Sequence, residues 1–505
     1  MCGFFISNSN IISEEHSLII DKFLSFRGPD YQSGVVKVGD WSIYHARLAI
    51  IDLDDEANQP IRDSRGGILV FNGEILNYKE LGEKYYSIEY FSDSLLLSDL
   101  CKDNKLAINE LDGFFAFVYI NNDGKIEYAC RDRFGVKPLY YYEEKGKVSF
   151  SSEPAVLKNL FGCGVNQQAI EEYKCLRAPI FASSYFLGVK EVAPGSCYAK
   201  GAYFNLEQFL ERDYKNISDK ELLTALSDGI NSRLIADVPV GLLLSRGIDS
   251  NLIKNIGEFN KYYSIGFEND EDISFLESKN IEKLVIHKMT AKEYKNDFEY
   301  LLKLRGEPLS VPNEVLLFRI ALIAKQDGIK VLLSGEGADE FFGGYDRIFS
   351  HFANLNQFSL NDFLEYYCYQ MPNKSSELYS KFEKIFDSCN LKSPFEIVRW
   401  FFIRYHMPIL FRRLDFSLMA AGVEGREPIA NLHIFDIARK LQKDSLMKNK
   451  LGKIPLRKIT AAFEGNEFAY EKKIGFPVDL TKVFDNKGNL SSYQLWFDKN
   501  LEILR

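Results

Sequence analysis

The feature that most restricts the fold lies in the second half of the chain, where strand-length apolar runs are separated by helix-length stretches. Val238-Pro239-Val240-Gly241-Leu242-Leu243-Leu244 is continuous, with no polar alternation, and Tyr262-Tyr263-Ser264-Ile265-Gly266-Phe267, Lys283-Leu284-Val285-Ile286 and Ile329-Lys330-Val331-Leu332-Leu333 are similar. A strand reads this way when both faces are buried, as in a parallel sheet covered by helices. Residues 221–236 carry helical apolar spacing. Alternating strands and helices predict a doubly wound α/β domain with its ligand at the strand carboxyl ends.

The first half has another rhythm. Ser33–Val38, Gly67–Phe71 and Phe114–Tyr119 are strand-like runs bounded by Gly, Asn or Asp, and Asn121-Asn122-Asp123-Gly124 reads as a hairpin turn. These predict layered antiparallel sheets. At 505 residues the chain exceeds one ordinary core, and Pro194-Gly195 with the polar stretch to about 215 is the expected linker, which divides it into 1–200 and 215–505.

A net charge of −9 argues against a nucleic-acid partner. The eight cysteines form no Cys-x-x-Cys pair and have no histidine at metal spacing, so reduced thiols and no structural zinc are expected. No signal peptide or membrane-length apolar run is apparent; the cytoplasm is the expected compartment, with no membrane partner.

Two loops at the ends of predicted parallel strands can do chemistry. Leu244-Ser245-Arg246-Gly247-Ile248-Asp249-Ser250 offers backbone N–H groups, hydroxyls and a helix amino terminus to a pyrophosphate. Ser334-Gly335-Glu336-Gly337-Ala338-Asp339-Glu340 is rich in glycine and acid, a composition that surface turns share. In the first half, Met1 is expected to be trimmed, leaving Cys2 with a thiol and a free α-amino group, nucleophile and base on one residue. Alone, such a cysteine reads as a small apolar residue. Arg47 sits inside an otherwise apolar strand, where a structural ion pair would also explain it. Asn72-Gly73-Glu74 sets an amide beside a glycine N–H, a plain turn or a cradle for an oxyanion.

Cys2-Gly3, Arg27-Gly28-Pro29-Asp30, His45-Ala46-Arg47-Leu48, Gln59-Pro60, Asn72-Gly73-Glu74 and Ser92-Asp93 occur in register. Together they resemble the glutaminase domain of class II, N-terminal-nucleophile glutamine amidotransferases, in the form found in glutamine-hydrolysing asparagine synthetases. The second half resembles the ATP-pyrophosphatase domain of the same family. The resemblance implies an αββα glutaminase domain followed by an α/β synthetase domain, with ATP and Mg2+ as cofactors, and admits a homodimer. It casts Cys2 as nucleophile, Asn72 and Gly73 as oxyanion hole, and Arg47, Leu48, Ile50, Asn72, Glu74 and Asp93 as the glutamine site. In the synthetase half it casts Ser245, Gly247, Asp249 and Ser250 as the pyrophosphate loop, with Asp249 aiding magnesium. Leu243, Ile265, Ser334 and Gly335 would line the adenosine site, Glu336 would manage protons, and Lys453, ahead of Lys473-Ile474-Gly475-Phe476-Pro477, would stabilise charge on the phosphates.

The chain departs from the family pattern at several positions. Leu95 replaces a glutamate, and Arg246 replaces a glycine in the pyrophosphate loop, where a positive φ would be strained and the side chain either obstructs the pocket or swings outward and adds a cation. The stretch 268–290 is contracted. Phe416, Leu418 and Asn431 replace Arg, Ser and Asp, a change either in the acceptor pocket or in local packing. The reading is a glutamine-dependent synthetase with aspartate as default acceptor. The alternatives are another carboxylate, such as a sugar acid in polysaccharide synthesis, and a glutaminase or regulatory protein with impaired adenylation.

Overall fold

The computed structural model describes residues 2–472, 478–484 and 490–504; the run Lys473–Pro477 lies outside them. Strand Cys2–Ser7 is buried throughout and pairs antiparallel with Trp41–Arg47 on one side and Lys147–Ser151 on the other. Tyr140–Glu144 and Val189–Glu191 extend this sheet beyond Lys147–Ser151, and Tyr31–Gln32 and Val36–Val38 pair with Trp41–Arg47. A second antiparallel sheet runs Gly201–Ala202, Ser196–Cys197, Ile126–Arg131, Gly113–Ile120, Ile68–Ile75, Ile61–Arg62.

The period of two explains how these sheets stack. Phe4, Ile6 and Ile43 from one sheet meet Val70, Ala116 and Val118 from the other in one apolar cluster. On the opposite faces, Phe5 and Tyr44 pack with Ile20, Phe23 and Leu24 of helix Glu14–Leu24. Phe71, Phe115 and Phe117 share a cluster with Leu96, Leu97 and Leu100 of helix Asp93–Lys102. The result is the expected αββα layering. The 121–124 turn forms as expected, with the Gly124 N–H donating to the Asn121 carbonyl.

The third sheet is wholly parallel, in the order Leu284–Lys288, Lys261–Gly266, Val240–Leu243, Val331–Leu333, Glu424–Arg426. Chain order reverses between Val240–Leu243 and Val331–Leu333, so the loops after these two strands open into one crevice. Helix Met407–Met419, preceded by the π-turn Phe402–His406, runs between the two domains.

Two expectations need correction. Ser196–Cys197 and Gly201–Ala202 are strands of the second sheet, so the chain leaves that sheet only after Ala202 and the polar stretch from 194 is not all linker. Cys130 and Cys197 are not reduced thiols but a disulfide. Neighbouring strands bring the two into register across 67 residues of sequence, a pairing their spacing could not reveal. No helix among the described residues is long and apolar enough to cross a membrane.

Candidate active sites and the interface between them

Cys2 stands directly opposite Arg47 across the strand pair, which puts both side chains on one sheet face. The Cys2 backbone N–H donates to Asn72 Oδ1 at 3.0 Å. Asn72 is fully buried, and its Nδ2 has no hydrogen-bond partner among the described residues. A buried amide donor without a partner is costly, so its presence marks a place where an acceptor belongs. Gly73 holds φ +138, and a Cβ there would lie 2.0 Å from the Phe114 carbonyl oxygen, so only glycine fits. Burial pushes the Cys2 thiol up, and a Leu48 N–H bond opposes that shift.

The guanidinium of Arg47 is fixed by the carbonyl of Asp54 at 2.8 Å, by Asn58 Oδ1 at 2.9 Å and by the Asp52 carbonyl. The Ile50 carbonyl already accepts from the Asp237 N–H. Glu74 and Asp93 are both buried and share a hydrogen bond. Burial, then the Asp93 charge, raises Glu74 well above the carboxylate range. Burial lifts Asp93 to about 6 against the bonds from the Ile75 and Ser94 N–H groups. His45, also buried in this sheet, bonds the Phe71 carbonyl and is held neutral by burial, with a pKa of about 3.

At the parallel sheet, the crevice is a cavity of about 700 Å3, a size suited to a nucleotide-sized ligand. Leu243, Ser245, Asp249, Ser250, Ile265, Ser334, Gly335 and Glu336 line it. Gly247 instead caps helix Ile248–Ile256, whose amino terminus has no side-chain cap and keeps its first N–H groups for an anion. Ser245 and Ser250 brace the loop through hydroxyls 3.1 Å apart. Lys453 is 3% exposed, holds φ +57 and opens helix Ile454–Glu464. Its Nζ lies 2.8 Å from Asp249 Oδ2 and 2.7 Å from Asp339 Oδ1. Burial alone would lower the Lys453 pKa, but Asp249 and Asp339 hold it above the ordinary lysine value.

Arg246 does not enter the cavity. It is absent from the positive-φ residues of the chain, pairs with Glu471 and lies 5.1 Å from the centre of the Phe275 ring. Phe416 packs edge-on to Phe26 at 5.8 Å, Leu418 is fully buried in the same apolar cluster, and Asn431 caps helix Leu432–Ala438 through the Ile434 N–H. None of the three lines the cavity. The substitutions therefore belong to packing and capping.

Sequence reasoning did not name the charge pairs that join the two sites. Arg27 Nε donates to the Cys2 carbonyl at 3.0 Å, while its two terminal nitrogens reach Glu153 at 2.7 Å and Asp415 at 2.9 Å. Asp415 also meets Lys137 at 3.3 Å, and Arg412 meets Glu153. Burial would raise the Asp415 pKa, but Arg27 and then Lys137 hold it below the usual value. Arg413, on the same helix, pairs with Glu336 in the cavity. Each of these charged residues was in view in the sequence, but partners up to 388 positions apart carry no local signal.

A family model described as Asparagine synthase matches residues 221–501, and one described as Glutamine amidotransferase domain matches residues 1–211. The glutamine-hydrolyzing asparagine synthetase 1 of Bacillus subtilis is 28% identical, covering 97% of this chain and 89% of its own length. The glutamine-hydrolyzing asparagine synthetase B of Escherichia coli is 25% identical over 94% of this chain and 82% of its own. Amidase chry2 of Gibberella zeae is 28% identical over 68% of this chain and 60% of its own.

Proposed function

The chain belongs to the asparagine synthase family, and from that premise we propose that it hydrolyses glutamine and uses the ammonia, with ATP, to convert a carboxylate to its amide. Aspartate is the acceptor we assign, giving asparagine. One observation carries the reading. A glutaminase-type site and a nucleotide-type site share one chain and are tied to the same helix, Met407–Met419, by Asp415 through Arg27 to Cys2 and by Arg413 to Glu336.

In the first site the Cys2 thiolate attacks the glutamine carboxamide, its proton passing to the α-amino group that removal of Met1 exposes. The oxyanion forms against Asn72 Nδ2 and the Gly73 N–H. Ammonia leaves with the proton returned by the α-amino group, and water then hydrolyses the thioester to glutamate and the free thiol. Arg47 holds the substrate carboxylate, while Glu74 and Asp93 hold its ammonium. In the second site the acceptor carboxylate attacks the α-phosphorus of ATP, and pyrophosphate departs between the loop 245–250 and Lys453. Ammonia then displaces AMP, with Glu336 placed to manage its protons.

Magnesium is held mainly by phosphates and one or two carboxylates, and Asp249, which lines the cavity, would be one of these carboxylates. The ion would neutralise phosphate charge. Because free ammonia in neutral water is mostly protonated, its transfer requires a path closed to solvent.

The reading is tested by pyrophosphate release from ATP, magnesium and glutamine across a panel of carboxylates. Aspartate is expected to support release with asparagine as product, and a panel in which no carboxylate does so would refute the synthetase assignment. The outward course of Arg246 gives a second expectation. Arg246→Gly should alter kcat/KM for ATP by less than about fivefold, the size of a partly exposed ion pair. A gain of tenfold or more would mean that the arginine obstructs the loop.

The acid pair sets a pH dependence. Asp93 keeps its proton up to about pH 6 in the empty site, so below that pH the pair is too protonated to hold an ammonium. The glutamine KM of the glutaminase reaction should therefore rise as pH falls through about 6, and a KM that is flat there would remove Glu74 and Asp93 from the ammonium site. The sign for stability is opposite. An unfolded Asp releases its proton near pH ~4, so the folded domain holds an extra proton between about 4 and 6. Without glutamine, it loses stability as pH rises through that window.

A further inference from the structure

Behind the nucleotide cavity, where the two domains meet, lies a second cavity of about 170 Å3 whose lining includes Tyr185, Arg305, Glu307, Arg404 and Arg412. That is well above the ~10–15 Å3 one water needs and below the ~300 Å3 at which drug-sized pockets begin. One wall is the segment 178–185. It is pinned by buried Glu172, whose Oε2 accepts the N–H groups of Ile180, Phe181 and Ala182 at 2.8, 2.8 and 3.1 Å. Ser183 on this wall is held at φ +61, a strained position for a residue with a side chain. The other wall includes Arg404 and Tyr405 of the π-turn Phe402–His406, a helix irregularity often kept at functional sites.

The charges around this cavity do not balance. Glu191 is matched by Arg131, Glu307 by Arg305 and Arg412, Glu153 by Arg27 and Arg412, Glu314 by Arg305, and Asp415 by Arg27 and Lys137. Five carboxylates thus meet five cations, and Arg404 is left over. Its Nη1 donates to the Pro194 carbonyl at 2.9 Å, and among the described residues no carboxylate lies within ion-pair distance. Burial lowers the Arg404 pKa, whereas in Arg412 the Glu153 charge more than offsets burial and raises it. The Tyr185 hydroxyl, on a residue 2% exposed, and Arg412 Nε have no hydrogen-bond partner among the described residues. A surplus guanidinium and two unpartnered donors in a small polar cavity are complementary to an anion with several acceptor atoms.

We propose that this interdomain cavity binds one small oxyanion, a carboxylate or a phosphate group, between Arg404, Arg412 and the Tyr185 hydroxyl. Its occupant touches the backbone that serves the nucleotide cavity. Arg404 lies between Phe402 and His406, and Arg412 adjoins Arg413, all three of which line that cavity. The site does not depend on which acceptor the enzyme uses.

The test uses the full chain and follows the thermal unfolding midpoint in sodium phosphate, sodium acetate and sodium chloride at matched ionic strength. For the wild type, phosphate or acetate is expected to raise the midpoint above chloride, and the anion that does so identifies the source. In Arg404→Gln the affinity read from this increment should fall about tenfold or more, as expected for loss of a charge-assisted contact. In Tyr185→Phe it should fall by less; that variant removes an oxygen that bonds no protein group and decides the matter if Arg404→Gln does not fold. An anion that binds only in the nucleotide cavity would give the same increment in all three proteins. That result, or a wild type that responds to chloride as it does to oxyanions, overturns the proposal.

Discussion

Cys2→Ala is expected to abolish glutamine hydrolysis while ammonium salts still support pyrophosphate and amide formation. The loss should be roughly ten-thousandfold or more, the scale seen when a nucleophile is removed and only binding and the oxyanion hole remain. No other thiol can substitute by position, because the Leu48 N–H and the Asn72 amide converge on residue 2. Cys101, another buried thiol, is pushed far above the thiol range by burial and sits on helix Asp93–Lys102, which covers the far face of the second sheet. Alanine is small, and Cys2 is only 6% exposed, so the strand register with Arg47 should survive the change. Glutaminase activity and ammonium-dependent pyrophosphate release, measured on the same preparation, separate the two half-reactions. Glutamine hydrolysis at the wild-type rate would end the assignment of Cys2, and loss of both activities would show that the change had damaged the domain contact through Arg27.

What the sequence made legible was whatever repeats locally or sits within a few residues of its partner. The parallel strands were readable because burial on both faces leaves a continuous apolar run, and the loops 244–250 and 334–340 followed from where those runs end. The fifth strand, Glu424–Arg426, was not readable. It has no apolar run, and its two charged residues are buried because they pair with each other. Arg246 was a doubtful position on the premises that it needs a glycine conformation or fills the pocket; its φ is not positive, and Glu471, distant in sequence, draws the side chain outward. Phe416, Leu418 and Asn431 invited a reading in terms of acceptor chemistry because they change charge. Their surroundings, an aromatic ring, an apolar cluster and a helix terminus, are tertiary facts that the substitution pattern does not encode.

Lys453→Ala is expected to stop pyrophosphate formation while leaving glutamine hydrolysis in place. The ammonium is the buried cation between Asp249 and Asp339, and on departure of pyrophosphate it faces charge that develops where water is excluded. Removing one such preorganised donor typically costs about a hundred- to a thousandfold in rate. The change also leaves the buried Asp249 carboxylate without its cation and facing half-buried Asp339, and breaking a buried pair costs about 3–5 kcal/mol, so the unfolding midpoint should fall. Retained glutaminase activity shows that the chain has folded and keeps the two effects apart. Arginine is not expected to rescue the lysine. A Cβ on Gly344 would already lie 2.0 Å from Lys453 Cε, so the side chain runs against bare backbone with no room for a guanidinium. The same contact supplies a second check, since Gly344→Ala keeps every charge and must displace the lysine stem together with the Asp339 carboxylate, whose Oδ1 the Cβ would meet at 2.1 Å. If the ammonium's position is what matters, Gly344→Ala should lower pyrophosphate release toward the level of Lys453→Ala. If instead Lys453→Ala retains release within about tenfold of wild type, the lysine only neutralises Asp249 and Asp339, and the charge on the leaving pyrophosphate is met elsewhere in the loop.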